Sequence, residues 1–210
     1  MFKGTSASAG IGIGKAVIVE EAELVITRNE VADAEAEIQR FKGALEKTIA
    51  ATQKMADDLA SRVGEKEAEI MQGHMMLLSD PMLTGEIENS VKNDKVNSEF
   101  AIENVCNMYA DMFASMGDEL MQQRATDMRD IKVRMQRTLM GLESVDVSLL
   151  PKGSILVAKD LTPSMTAGIN PENVSGIVTE LGGKTSHSAI LARALEIPAV
   201  VAVNGLMDAV

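Results

Sequence analysis

Cys106 is the only cysteine in 210 residues, so neither an internal disulfide nor a zinc site built on several cysteines can form. A reducing, cytoplasmic compartment is the expectation. Aromatic residues make up 2% and tryptophan is missing, which excludes a core organised by ring stacking. Methionine, at 15 residues, stands at roughly three times its ordinary share and must supply many of the contacts instead. No run of eighteen uncharged apolar residues occurs, and Met1-Phe2-Lys3-Gly4 lacks the apolar stretch of a secretory signal, which argues against a membrane span and against export. Basic charge is also scarce, with 20 Lys and Arg against 31 Asp and Glu for a net charge of −11. That is the wrong sign for a protein that binds by neutralising phosphate backbones, so nucleic acid is not the expected partner.

What is present is an ordinary globular apolar content of 46%, enough to bury a core in one large domain or two small ones. Charge is distributed unevenly. The 57 residues from Ser154 to Val210 carry 8 charged side chains, whereas the preceding 153 carry 43. The shift near Pro151-Lys152-Gly153 reads as a boundary. Residues 2–21 combine closely spaced glycines with Lys15-Ala-Val-Ile-Val and predict strands about a glycine turn. Beyond Thr27, the residues Ile38, Phe41, Leu45, Thr48, Thr52, Met55, Leu59 and Val63 recur at spacings of three and four. They predict a long helix with Asn29 as its cap and Gly64 as its stop. Further amphipathic stretches at 65–79, 81–92, 98–116 and 118–140 predict antiparallel helices joined by short turns. After Pro151, strands at 154–158, 176–179 and 198–203 alternate with helices at 163–169 and 185–195, the pattern of an α/β unit. Adding the N-terminal strands to that unit makes one discontinuous domain with a helical insert. The chain stops soon after a strand that would ordinarily pair further, so a fragment of a longer protein is expected.

Two glycine-rich segments invite a functional reading. Gly10-x-Gly12-x-Gly14-Lys15 lacks the first glycine and the hydroxyl of a phosphate loop, and no helix follows it, so it reads as a tight turn between strands. The segment Glu180-Leu-Gly182-Gly183-Lys184-Thr185-Ser186-His187-Ser188-Ala189 is different. A strand ends, two glycines permit close backbone approach, hydroxyls follow, and His187 opens an apolar helix. Helix N–H groups and the positive end of the helix dipole suit a phosphoryl group there. Neutral imidazole, with an ordinary pKa of about 6.5, is nucleophilic near neutral pH.

With Arg193 and Ile197-Pro198-Ala199-Val200, this segment resembles the phosphohistidine segment shared by enzyme I of the bacterial sugar phosphotransferase system, pyruvate phosphate dikinase and phosphoenolpyruvate synthase. Asp160-Leu-Thr-Pro163-Ser-Met-Thr166, Gly73-His74-Met75-Met76-Leu77-Leu78, Arg124-Ala-Thr-Asp-Met-Arg129-Asp130-Ile131 and Ala7-Ser-Ala-Gly10-Ile-Gly-Ile-Gly14-Lys15 are similar to enzyme I in particular, across essentially the whole chain. The resemblance implies an α/β phosphohistidine (swivelling) domain, residues 1–28 plus 143–210, with an inserted all-α helical-hairpin subdomain at 29–142. It implies that His187 is the phosphoryl acceptor through Nε2, that the Thr166 hydroxyl fixes its tautomer, and that Gly182, Gly183, Thr185 and Ser186 bind the phosphoryl group. Phosphoenolpyruvate and Mg²⁺ belong, on this resemblance, to a C-terminal barrel outside this chain, and no metal site is expected within it. The full-length family member is expected to be a cytoplasmic homodimer serving sugar uptake.

The phosphocarrier protein HPr is the partner that the resemblance implies, docking on the helical insert. Met71, Met75, Met76, Leu77, Leu78, Met82 and Leu83 are too many apolar residues for one helix stripe, and part of them is expected to form a docking surface. Met76, Leu77, Met82, Leu83, Arg124 and His74 are the candidate contacts, His74 reading as either an interface or a packing histidine and not as a second phosphoryl acceptor. Cys106 reads as a small core residue, and Asp127, Asp130 and Arg129 as solvated or intrahelical pairs. Two other readings remain open: the swivelling domain of a dikinase or synthase, and a helical interaction module that merely retains the fold.

Overall fold

The computed structural model describes residues 2–209. The chain forms two compact units, one comprising Met1–Ala22, Asp57–Ala68 and Val145–Val210, the other Glu23–Ala56 and Glu69–Ser144. The sequence reading places residues 57–68 in the helical insert; here they group with the strands. No helix among the described residues is long and apolar enough to cross a membrane.

The first unit is built on a five-stranded sheet: β1 (Thr5–Ser8), β2 (Lys15–Ile18), β3 (Ser154–Ala158), β4 (Val174–Thr179) and β5 (Ala199–Val201). The strand order is β1-β5-β4-β3-β2. β1 runs antiparallel to β5, and the remaining pairs are parallel. Parallel neighbours need crossovers: α6 (Pro163–Ala167) between β3 and β4 and α7 (His187–Ala194) between β4 and β5 are short helices, while the chain between β2 and β3 carries the five remaining α-helices. Alternation along β3 and β4 sends Leu156, Ala158 and Ile177 into a cluster with Ile169, Ala189, Ala192, Ile197 and Val201. Val157 and Val178 go instead to a smaller cluster with Val203 and Leu206. Both sheet faces are thus covered, as a parallel sheet requires.

The glycines between β1 and β2 do not form a tight turn. The two strands lie on opposite edges of the sheet, so residues 9–14 run as a strap past the starts of the intervening strands. A Cβ at Gly12 would sit 2.4 Å from the Ser175 carbonyl oxygen, and one at Gly14 2.0 Å from that of Gly153. The strap crosses backbone so closely that no side chain fits on its inner side. Local turn chemistry could not reveal this, because the reason lies in backbone 139 and 163 residues away.

The second unit holds most of α1 (Ala34–Arg62) and α2 (Glu65–Leu78), with α3 (Pro81–Asp94), α4 (Ser98–Ser115) and α5 (Glu119–Met140). Phe41, Leu78, Ile87, Ile102, Met128, Ile131 and Met135 fill its core. The expected α1 stripe is the buried face: Ile38, Phe41 and Leu59 are buried, and so are Thr48 and Thr52. Each threonine hydroxyl donates to the carbonyl one turn earlier, Thr48 to Ala44 at 2.9 Å and Thr52 to Thr48 at 2.7 Å, which removes the penalty of burying it. Asn29 does not cap α1. Its N–H bonds Asn97 Oδ1, its carbonyl accepts from Asn97 N–H, and Glu30 bridges Val96. Asp33 instead accepts from Ala36 N–H at 3.0 Å. α3 and α5 start at side-chain caps, Asp80 ahead of Pro81 and Asp118, whereas Asn97 ahead of α4 makes no capping bond. Cys106 is fully buried in the core.

Candidate functional site

His187 is the first residue of α7, half-buried at the carboxyl end of the parallel strands. The chain reaches it from β4 by a loop whose turn is made at Gly182, where φ is +97°, a conformation that disfavours a side chain. A Cβ there would lie 3.7 Å from the hydroxyls of Ser186 and Thr179 and 3.8 Å from Asp160 Oδ1, so these three oxygens surround the turn. Thr179 Oγ1 donates to the Leu181 carbonyl at 2.7 Å. Asp160 is exposed at the rim, but the protein crowding its carboxyl desolvates it and raises its pKa, while the bond from Leu161 N–H works in the opposite sense.

Ser186 caps α7. Its Oγ donates to the Gly183 carbonyl at 2.8 Å and accepts from Ala189 N–H at 3.3 Å. A hydroxyl has one hydrogen, so in the 2.9 Å pair with Ser188 it is Ser188 that donates. The Ser186 side chain is therefore committed to shaping the loop. Thr185 and Lys184 are exposed and Gly183 half-buried. Arg193, from the end of the helix, donates through Nη1 to the carbonyls of Lys184 at 3.0 Å and Ala7 at 3.1 Å, tying the loop to β1.

Thr166 lies on α6, which packs against α7, and is buried. Its Oγ1 donates to the Thr162 carbonyl at 2.7 Å, leaving only lone pairs for any further bond. Towards an imidazole, this hydroxyl can act as an acceptor from a ring N–H and not as a donor. Thr162 also caps α6 through Met165 N–H. The Thr-Pro pair signals that cap locally. Arg62, by contrast, could not be found from sequence: its guanidinium bonds the carbonyls of Ala167 at 2.5 Å and Ile169 at 2.6 Å, more than a hundred residues away, and so holds the end of α6.

In the helical unit the candidate contacts divide. Met76 is 73% exposed and Met82 66%, Leu77 is partly exposed, and Arg124 keeps about a third of its side-chain surface. Leu83, at 3%, belongs to the core, because α3 turns that position inward beside Ile87. His74 is fully buried, so a direct surface contact is ruled out for it. Its Nε2 lies 3.2 Å from Asp127 and its Nδ1 3.7 Å from Asp130. Those two aspartates are buried partners of α2 rather than solvated charges. Met108 and Met112 on α4, and Met116 just past its end, are exposed as well and recur at four-residue spacing. Among the described residues, no group of three or more His, Cys, Asp or Glu side chains could hold a metal ion.

The mixed sheet with its helix-borne histidine, together with five further helices, is the architecture of an α/β phosphohistidine domain with an inserted helical subdomain. Comparison with known proteins agrees. Residues 3–124 match the family described as PEP-utilising enzyme, N-terminal, and residues 150–210 match PEP-utilising enzyme, mobile domain. The phosphoenolpyruvate-protein phosphotransferase of Bacillus subtilis is 43% identical over 200 residues, 95% of this chain and 35% of that protein. Its namesake in Listeria monocytogenes is 44% identical over the same length and shares. A solution structure of an enzyme I protein superposes with a TM-score of 0.84 at 39% identity, covering all of this chain and 86% of that one. The N-terminal domain of an enzyme I of the nitrogen type gives 0.65 at 26% identity, with 96% and 83% covered. The chain belongs to the PEP-utilising enzyme family and corresponds to the N-terminal domain of enzyme I, spanning about a third of the length of the curated relatives it matches.

Proposed function

We propose that this chain is the phosphoryl-transfer and carrier-docking part of a phosphoenolpyruvate-protein phosphotransferase, exchanging a phosphoryl group between His187 and the phosphocarrier HPr. The observation that carries this reading is His187 at the start of α7, beside a loop turned at Gly182 and capped by Ser186. In the transfer from phospho-HPr, the Nε2 lone pair attacks phosphorus while the donor's bond to phosphorus breaks. Thr166 accepts the Nδ1 hydrogen and keeps that lone pair free. Loop N–H groups and the dipole of α7 stabilise the charge on the three phosphoryl oxygens. Met76, Met82 and Leu77 form the apolar part of the HPr surface, with Arg124 at its rim and the exposed methionines of α4 extending it. The −11 charge steers a basic carrier face towards the domain. The strand-bearing unit carries the chemistry and the helical unit the docking.

In the longer protein the reading adds phosphoenolpyruvate as donor, Mg²⁺ to neutralise its phosphate, a homodimer, and a cytoplasmic role in sugar uptake. Mixing the chain with labelled phospho-HPr should yield one acid-labile, base-stable phosphate per chain, lost in His187→Ala with helix content unchanged. Full labelling of His187→Ala would refute the assignment. Binding of HPr without transfer would favour an interaction module, and neither binding nor transfer would favour a dikinase-type swivelling domain.

A further inference from the structure

Arg124 lies across α2 at the one place where α2 has no side chain. A Cβ on Gly73 would stand 2.7 Å from Arg124 Nη1, with Cζ at 3.7 Å and Nη2 at 3.9 Å. Any side chain at position 73 would drive the guanidinium off. Met76 and Leu77 follow Gly73 by three and four residues and so share its stripe of the helix. On its own helix, Arg124 Nη1 lies 3.6 Å from Asp127 Oδ2. The other oxygen of that carboxylate, Oδ1, is 3.2 Å from Nε2 of the fully buried His74, whose Nδ1 faces Asp130 Oδ2 at 3.7 Å. The imidazole thus reaches from α2 between two carboxylates one turn apart on α5, which prevents Asp127 from following Arg124 outward.

A glycine in the middle of a fourteen-residue helix is unfavourable for the helix itself. The space it leaves is filled by Arg124. We infer that Gly73 and Asp127 are positioning residues for Arg124: they hold its guanidinium against α2 through Nη1, on the stripe of Met76 and Leu77, as a fixed cation for an acceptor group on the docking carrier, and His74 anchors Asp127. This rests on the reading of the helical unit as the carrier surface. An arginine ordered before docking loses less freedom on binding, an advantage of roughly three- to tenfold in affinity.

Gly73→Ala tests the inference, because the added methyl meets only the far end of a flexible side chain and supplies a better helix former. The thermal midpoint should hold or rise, while the affinity for HPr falls roughly three- to tenfold and loses the same salt dependence as Arg124→Ala. The double variant should bind no more weakly than Arg124→Ala alone. A merely structural glycine would produce the opposite pairing, lower stability with unchanged binding. Unchanged affinity in Gly73→Ala, or penalties that add in the double variant, would overturn the proposal. A second readout needs no carrier: ¹⁵N relaxation at Arg124 Nε should report an ordered side chain in the native protein and a mobile one in Gly73→Ala. Equal mobility in both would overturn the positioning role whatever HPr does, whereas an ordered arginine in a protein that fails to bind HPr would instead overturn the docking reading.

Discussion

Replacing Thr166 with valine separates positioning from packing, because the structure sets the two costs apart. Thr166 Oγ1 donates to the Thr162 carbonyl, but that carbonyl also accepts from Thr166 N–H at 3.0 Å. Valine therefore strands no acceptor on α6, and the stability loss should stay near the cost of one ordinary hydrogen bond, about 0.5–1.5 kcal/mol. In a chain of this size that lowers the melting midpoint by roughly 2–4 °C per kcal/mol. The kinetic cost is expected to be larger. With no hydroxyl to accept the Nδ1 hydrogen, the imidazole is free to carry its proton on Nε2, where no lone pair is left for phosphorus. A loss of roughly ten- to a hundredfold in transfer, about 1.4–2.7 kcal/mol in the barrier, is the scale of a positioning contact. Rapid-quench single turnovers from labelled phospho-HPr, run well below the midpoint, measure it. A rate constant equal to that of the native chain would show that another group sets the tautomer. A rate loss that merely tracks the unfolded fraction would show that Thr166 serves packing alone.

Two further outcomes follow from the same geometry. Arg62→Ala removes both bonds to the carbonyls of Ala167 and Ile169; because the arginine is largely exposed, a loss of about 1–2 kcal/mol is expected in denaturant titrations, with slower hydrogen exchange at α6 in the variant than in the native chain being the result that contradicts it. Burial pushes the Cys106 thiol up to about 12, with Lys132 nearby acting to lower it and Glu103 to raise it. The thiolate is therefore negligible at pH 8, and a thiol reagent should label Cys106 only at the rate of unfolding, so rapid native labelling would contradict the burial.

Much of the fold was legible because its signals are local. The amphipathic stretches read at 81–92 and 118–140 start within one residue of α3 and α5, and the spacing of Ile38, Phe41 and Leu59 reports a buried stripe whatever it packs against. Asn29 misled because its side-chain chemistry suits a cap, while the backbone there pairs with Val96 and Asn97, 68 residues on. Leu83 misled for a related reason, and His74 took the packing role rather than the interface role left open for it. Both stand in an apolar run too broad for one stripe, and composition alone does not say which members of such a run turn inward.

At the candidate site, sequence alone determined the loop and the helix that present His187, because glycines, hydroxyls and the start of an apolar helix act within a dozen residues. Sequence likewise separated an α/β part from a helical part, since hydrophobic period and charge density change along the chain itself, although it did not show that residues 57–68 group with the strands. Only the tertiary structure decided that β1 and β2 take opposite edges of the sheet, that the glycine strap crosses the strand starts, that Arg62 holds α6, and that His74 lies between Asp127 and Asp130. Each of these depends on which distant backbone or side chain arrives within a few ångströms. A periodic pattern fixes the face an element buries, but not the partner that covers it.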